Sequence, residues 1–253
     1  MIRFILCASF LFWFLVLGSP LLVAEWIIGK FNPDFKSRSS LAIVNWAFRQ
    51  VIRLAGTKVI AIGEDRIPKD TPVVYVGNHR SYFDVILTYV RVPGPTGYIA
   101  KKEMEKAPLL SNWMRNLHCL FLDRNDIKQG MKTILQAVEK VKSGISINIF
   151  PEGTRNRKPD CLLPFHNGSF KIAEKGGVPI IPMSIVNTGA IWEDHLPKIK
   201  KATVVIEYCE PVYIDQLDKE TRKDLGKYVG NIIMDRYHAN KKKLEAGEFG
   251  TTK

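Results

Sequence analysis

Seven short runs rich in β-branched residues, separated by stretches with helical periodicity, constrain the fold of this chain more than any other feature. They fill residues 57–245, and strands that alternate with helices are typical of a largely parallel sheet with helices on its faces. The sequence therefore predicts an α/β domain with a mixed, largely parallel sheet flanked by helices. The predicted strands are 58–62, 73–76, 98–100, 119–122, 145–150, 180–186 and 202–208. The predicted helices are 81–91, 109–116, 127–143, 168–175 and 215–244, and a disordered tail is predicted at 246–253.

Residues 1–56 have a different character and predict membrane-anchoring helices in a hairpin. Residues 4–24 carry no charge and as a helix would match the hydrocarbon core of a bilayer, but Pro20 should kink or end that helix. A second helix is predicted at 39–55, with aromatic residues and lysines nearby that suit lipid headgroups. A cleaved signal peptide and an ordinary core helix are the alternatives for the two segments. Positive charge is denser after the first segment than before it, so the main domain is expected at the cytoplasmic face of the membrane.

The net charge of +12 restricts the partners of the chain. An excess of Lys and Arg favours a lipid surface, a phosphorylated substrate, an acidic carrier protein or nucleic acid, unless it is only a solvated surface. No zinc-finger, RNA-binding or basic-zipper pattern accompanies the charge, so nucleic acid is not expected as a partner. The four cysteines are far apart and predict neither a disulfide framework nor a zinc site. We expect no metal and no cofactor.

The first candidate site, residues 78–84 (Asn-His-Arg-Ser-Tyr-Phe-Asp), leaves a predicted strand and enters a predicted helix. The turn between them can bring the Asp84 carboxylate back to the His79 imidazole. A carboxylate on one ring nitrogen fixes the tautomer and leaves the other nitrogen free to act as a base. Ser81 suits a helix cap with Asp84 as its capping-box partner, and capping alone is the alternative role for that carboxylate. No Gly-x-Ser-x-Gly pattern supports Ser81 as the nucleophile of a hydrolase.

A second histidine and aspartate with the same spacing, His118 and Asp123, provide an internal control. They lie in an apolar run that predicts a strand, and side chains five residues apart in a strand point to opposite faces. The sequence therefore predicts that His79 pairs with Asp84 and that His118 does not pair with Asp123.

The second candidate site, residues 149–156, also follows a predicted strand. Gly153 permits close approach of the backbone, and Arg155 supplies a planar, permanent cation suited to phosphate. Lys101 follows another predicted strand and is a further candidate for a phosphate contact. Sites in such sheets gather where loops leave the carboxyl ends of strands. Neither a Walker-type loop nor a dinucleotide fingerprint is present.

Together, the two candidate sites resemble the glycerolipid acyltransferase superfamily, and within it the 1-acylglycerol-3-phosphate (lysophosphatidic acid) acyltransferases. The resemblance covers about residues 72–186. Two further blocks agree in order, Leu-Phe-Leu-Asp-Arg at 120–124 and Val-Pro-Ile-Ile-Pro at 178–182. One departure is that Arg80 and Tyr82 stand where many members carry smaller or uncharged residues, which bears on acceptor preference.

The resemblance implies direct acyl transfer. His79, oriented by Asp84, would take the proton from the sn-2 hydroxyl of 1-acyl-sn-glycerol-3-phosphate as that oxygen attacks the thioester of acyl-coenzyme A or acyl-carrier protein, giving phosphatidic acid. Glycerol-3-phosphate, another lysophospholipid and an acylated amino acid are the alternative acceptors, and a silent membrane scaffold is the alternative from another class. The residues implied or suggested in substrate binding are Glu152, Gly153, Arg155, Lys101 and Arg124.

Overall fold

The computed structural model describes residues 1–158 and 160–249, and a seven-stranded sheet forms its centre. The strand order is β1-β7-β6-β2-β5-β3-β4, and neighbouring strands are parallel except β6 and β7, which are antiparallel. The mixed, largely parallel sheet is therefore confirmed, and so are all seven predicted strands, with ends that differ by at most two residues. The strands are β1 Lys58–Ile62, β2 Val74–Gly77, β3 Thr96–Lys101, β4 Leu120–Leu122, β5 Ser146–Ile149, β6 Ile180–Val186 and β7 Thr203–Tyr208.

Helices cover the sheet and precede it. They are α1 Ile2–Leu17, α2 Ser19–Phe31, α3 Pro33–Ala55, α4 Tyr82–Tyr89, α5 Leu110–Asn116, α6 Ile127–Lys142, α7 Lys171–Gly176, α8 Lys219–Lys223 and α9 Leu225–Glu245. The prediction of one helix over 215–244 is wrong, because two aspartates each begin a separate helix. Asp218 accepts a hydrogen bond from Thr221 N at 2.9 Å, and Asp224 accepts one from Lys227 N at 3.4 Å. Side-chain caps of this kind satisfy the free N–H groups of a helix start.

The N-terminal helices pack on the domain rather than standing apart from it. Leu41, Val44 and Val51 of α3 belong to the same buried cluster as Phe83 and Leu87 of α4. Within the described residues, no single helix is long and apolar enough to cross a bilayer. The helices α1 and α2 together have the length and composition for one span, but they are bent by 49° at their junction.

The end of the chain folds back on the sheet as far as the structure describes it. Residues 246–249 form a turn, and Phe249 packs against the buried cluster that contains Val186, Val205 and Tyr237. Residues 250–253, the rest of the predicted tail, lie outside the described residues.

Candidate active site

His79 and Asp84 form a hydrogen-bonded pair at the carboxyl end of β2. Nδ1 of His79 lies 2.8 Å from Oδ2 of Asp84, and the aspartate is fully buried in the first turn of α4. Nε2 of His79 makes no hydrogen bond to any described residue, and 17% of the side chain remains exposed. The pairing therefore leaves one ring nitrogen without a protein partner on a partly exposed side chain, as a general base requires.

Asp84 also caps the helix that carries it. Its Oδ2 atom accepts hydrogen bonds from the backbone N–H groups of Arg80 and Ser81, both at 2.7 Å. Ser81 completes the capping box by accepting a hydrogen bond from Phe83 N at 3.0 Å. The two roles considered for Asp84 are therefore compatible, because one oxygen atom caps the helix and orients the imidazole.

The second candidate segment holds the first one in place. The ring of Phe150 stacks on the His79 imidazole, with centroids 4.3 Å apart and planes inclined by 13°. The backbone of His79 donates its N–H to Glu152 Oε1 at 2.8 Å and accepts a hydrogen bond from Asn156 N at 2.7 Å. The two segments meet because β2 and β5 are neighbours in the sheet.

Both carboxylate oxygens of Glu152 accept hydrogen bonds from backbone N–H groups. Oε1 binds His79 N, and Oε2 accepts a hydrogen bond from Leu163 N at 2.9 Å. The side chain is buried, and this burial raises the pKa of the carboxyl group. In this geometry Glu152 fixes the position of the His79 backbone, and its carboxylate is not turned to an incoming substrate.

Arg155 lies over a residue of the first segment. Its guanidinium is 3.8 Å from the ring centroid of Tyr82, and Nη1 is 3.4 Å from Oε1 of Glu193. The side chain is about one-third exposed, at 37%. This places a partly solvated cation beside the turn that carries His79, within a region where a phosphate can approach.

Gly153, Arg124 and Lys101 differ in how closely they approach this centre. Gly153 has φ +68°, and a Cβ added there would lie 3.2 Å from His166 Nε2 and 3.7 Å from Arg124 Nε. Arg124 therefore lies next to Gly153. Lys101 ends β3, one strand beyond β5, and its ammonium pairs with Glu103 at 2.7 Å. No contact among the described residues joins Lys101 to His79 or Arg155.

Two residues in the site have roles that the sequence did not reveal. Asn78 is buried, and its side chain exchanges two hydrogen bonds of 2.8 Å with the backbone of Ile185 in β6. Glu193 bonds both Ser81 and Arg155. Asn78 lies in the first candidate site, so its polar side chain there pointed to a role in the site. Nothing in the sequence near Glu193 indicated a link to the site.

Comparison with known proteins identifies the family. The Acyltransferase family model matches residues 58–186. The 1-acyl-sn-glycerol-3-phosphate acyltransferase of Haemophilus influenzae is 31% identical to this chain, over 80% of the chain and 83% of the relative. The chain belongs to the 1-acyl-sn-glycerol-3-phosphate acyltransferase family. The member of that name from Escherichia coli K12 is 30% identical, over 80% of this chain and 81% of its own length.

A solved acyltransferase structure shares the fold. The crystal structure of the 1-acyl-sn-glycerophosphate (LPA) acyltransferase from Thermotoga maritima aligns with a TM-score of 0.81 and 25% identity. The alignment covers 94% of this chain and 95% of that one, so it includes the helices before the sheet. The resemblance predicted from the sequence motifs is thus confirmed.

The control pair in this acyltransferase does not form. Nε2 of His118 lies 2.8 Å from Ser37 Oγ in α3, and Asp123 pairs with Lys102 at 3.6 Å. The prediction that the two residues stay apart is confirmed, but its placement of His118 in a strand is wrong. His118 has φ +60° and precedes β4, which begins at Leu120. In residues 1–158 and 160–249, no group of three His, Cys, Asp or Glu is placed to hold a metal ion.

Proposed function

We propose that this protein transfers a fatty acyl group from a thioester donor to the sn-2 hydroxyl of 1-acyl-sn-glycerol-3-phosphate, making phosphatidic acid. The observation that carries the proposal is the His79–Asp84 pair with a free Nε2, in a chain of the family whose members carry that activity in their names. The donor is acyl-coenzyme A or acyl-carrier protein, and no metal or other cofactor enters the reaction.

The chemistry needs one base and one stabilised anion. Nε2 of His79 takes the proton of the sn-2 hydroxyl while Nδ1–H donates to Asp84, whose buried carboxylate stabilises the imidazolium. The acceptor oxygen attacks the thioester carbonyl carbon and forms a tetrahedral oxyanion. Collapse of the intermediate breaks the carbon–sulfur bond, and the departing thiolate receives the proton from Nε2. The ester and the free thiol are the products.

The oxyanion requires donors that are not already in use. The N-terminus of α4 does not offer them, since its first N–H groups bind Asp84, Glu193 and the Ser81 hydroxyl. The N–H of Gly153 donates to Phe150 O at 3.0 Å. Within the described residues, the N–H groups of Thr154 and Arg155 make no hydrogen bond. We therefore assign the oxyanion contact to this turn.

Cations beside the dyad are the proposed ligands of the acceptor phosphate. Arg155 is the principal one, because its guanidinium lies over the Tyr82 ring. Tyr82 ends the segment 78–82 that carries His79, called here the catalytic turn. Arg124 contributes from the neighbouring side of Gly153, whose lack of a side chain keeps the space open. Lys101 is a more distant contact, for a donor phosphate or the membrane surface. Glu152 supports binding through the backbone of His79.

The N-terminal helices are proposed to attach the enzyme to the cytoplasmic face of a membrane. Large apolar side chains on α1 and α2 are exposed to solvent, and an exposed apolar area of this extent is unusual on the surface of a soluble protein. They include Phe12, Trp13, Leu17, Trp26 and Phe31. The net charge of +12 adds attraction to anionic lipids. Membrane lipids are therefore both the anchor and the source of the acceptor, and co-flotation with anionic vesicles tests the attachment.

The activity is tested with purified protein in detergent, a labelled acyl donor and a set of acceptors. We expect phosphatidic acid to form fastest from 1-acyl-sn-glycerol-3-phosphate, and parallel reactions with acyl-coenzyme A and acyl-carrier protein identify the donor. Faster reaction of glycerol-3-phosphate or another lysophospholipid would replace the proposed acceptor by that one. Absence of product with every acceptor and both donors would contradict the proposal.

A further inference from the structure

The segment Trp192–Glu193–Asp194 lies beyond the family match at 58–186 and outside all four sequence blocks, yet it contacts the catalytic turn with each of its residues. The Trp192 ring lies 5.8 Å from the Tyr82 ring, and Asp194 forms an ion pair with Arg80. Glu193 contacts the same turn and Arg155, the residue proposed to bind the phosphate. The segment follows β6, the strand beside β2.

Glu193 makes three hydrogen bonds with its carboxylate. Oε2 accepts the hydroxyl proton of Ser81 at 2.6 Å, and Oε1 accepts the N–H of Tyr82 at 2.9 Å. Oε1 also lies 3.4 Å from Nη1 of Arg155. Only 10% of the Glu193 side chain is exposed, so the carboxylate is well shielded and its three partners fix its position.

Arg155 is thereby held on two sides. The Tyr82 ring supports the face of the guanidinium, and Glu193 binds one of its edges. Tyr82 is itself backed by Trp192, which stacks on Phe4 of α1 with centroids 5.7 Å apart. Since Glu193 takes only Nη1, the other N–H groups of Arg155 have no side-chain partner within the described residues. The arrangement presents the rest of the guanidinium fork to an anion.

We propose that Glu193 is a positioning residue that holds Arg155 and the Ser81–Tyr82 turn in the arrangement that receives the acceptor phosphate. The proposal rests on the proposed function, in which Arg155 binds that phosphate. Glu193 does not touch the reacting atoms. Its effect is to order a flexible arginine before the phosphate arrives, so that less side-chain entropy is lost on binding.

Two substitutions separate the contact to Arg155 from the contacts to the turn. Glu193→Gln keeps an oxygen to accept from Tyr82 N, and its amide NH2 can donate to the Ser81 hydroxyl oxygen, but the charged partner of Arg155 is replaced by a neutral one. We expect the dissociation constant and KM for 1-acyl-sn-glycerol-3-phosphate to rise about 5-fold, with kcat and the KM for the donor within about 2-fold of wild type. Glu193→Ala also releases the turn, so kcat should fall by about a further 10-fold.

The experiment combines two readouts on the full chain in detergent. Titration calorimetry with 1-acyl-sn-glycerol-3-phosphate, without acyl donor, measures binding alone, and steady-state kinetics separates KM from kcat. Glu220→Gln is the control for the same chemical change, because Glu220 forms an exposed ion pair with Lys223 on α8, outside the site. This control should match wild type in all constants.

The outcomes distinguish the inference from the proposed function. An acceptor-specific loss of affinity in Glu193→Gln supports the positioning role. Unchanged affinity, a parallel rise of both KM values, or tighter binding through relief of repulsion between carboxylate and phosphate would overturn it. Wild-type protein that turns over 1-acyl-sn-glycerol-3-phosphate while Glu193→Gln is indistinguishable refutes only the inference. Wild-type protein without turnover refutes the proposed function, and calorimetry then still decides whether Glu193 governs phosphate binding.

Discussion

His79 and His118 are each followed by an aspartate five residues later, and the two regions have different structures. In the first, a strand ends, a turn intervenes and a helix begins, so the aspartate in the first helical turn returns to the imidazole at 2.8 Å. In the second, a short strand separates the residues, and each finds another partner, Ser37 for His118 and Lys102 for Asp123. Spacing alone therefore does not define a dyad; the backbone path between the residues does.

Burial also separates the two histidines. His79 has a ring nitrogen without a protein partner on a side chain that is 17% exposed, whereas His118 is half-buried beside α3 and its pKa is lowered to about 4, mainly by burial. Such a ring stays neutral at physiological pH and serves packing. We propose that the first region serves proton transfer, whereas the second joins α3 to the segment before β4.

The largest effect is expected from neutralising the aspartate of the first pair. Asp84→Asn should reduce kcat by at least about 10²-fold, because the amide no longer selects the tautomer or stabilises the imidazolium. Asp123→Asn is the matched substitution in the second pair and should stay within about 3-fold of wild type. Steady-state acyl transfer measures both, with circular dichroism to confirm folding. Equal losses in the two variants would remove the distinction between the pairs.

A smaller effect is expected when the stack on His79 is removed. Phe150→Leu keeps an apolar side chain of similar volume but loses the flat ring 4.3 Å from the imidazole. A less constrained imidazole spends less time in the reactive orientation, so kcat should fall about 10-fold with little change in thermal stability. An unchanged kcat would show that Asp84 alone orients the ring.

A pH effect on the free energy of unfolding is expected from His118. The folded pKa of His118 is about 4, below the ordinary value, so the unfolded chain binds a proton that the folded chain does not. Stability should therefore fall as the pH decreases from about 6.5 towards 4, by roughly 2 kcal/mol between pH 7 and 5. Urea denaturation of wild type and His118→Gln at both pH values tests this. An equal pH dependence in the two proteins would contradict it.

The smallest effect is expected at the surface ion pair of Asp123. Both side chains are partly exposed, at 42% for Lys102 and 30% for Asp123, and the charged atoms are 3.6 Å apart. Such pairs contribute little because water screens them and the long side chain loses entropy. Lys102→Ala should shift the melting temperature by less than about 2 °C in a thermal scan. A larger shift would mean that this pair does more than neutralise a charge.

The parts of the fold that depend on local sequence were predictable. The strands follow from runs of β-branched residues, and the capping box at Ser81 follows from residue types three positions apart. The break of the last helix was missed because Asp218 and Asp224 act as caps inside a sequence with otherwise helical periodicity. Similarly, α3 begins at Pro33 because Asn32 caps it by accepting a hydrogen bond from Phe35 N at 2.9 Å.

The parts of the site that depend on distant contacts were not predictable. The His79–Asp84 pair is local, and its turn made it visible. Glu152 and Asn78 hold the same turn through partners 73 and 107 residues away, and Glu193 reaches Ser81 across 112 residues. Periodicity and motif spacing carry no information on such pairings, which the order of strands in the sheet decides.

The most direct test of the account replaces each histidine in turn and measures phosphatidic acid formation from 1-acyl-sn-glycerol-3-phosphate. We predict that His79→Ala lowers kcat by at least about 10²-fold, whereas His118→Ala, assayed at neutral pH and checked for folding, retains wild-type kcat within about 3-fold. Full activity of His79→Ala, or an equal loss in a folded His118→Ala, would contradict the assignment of His79 as the catalytic base.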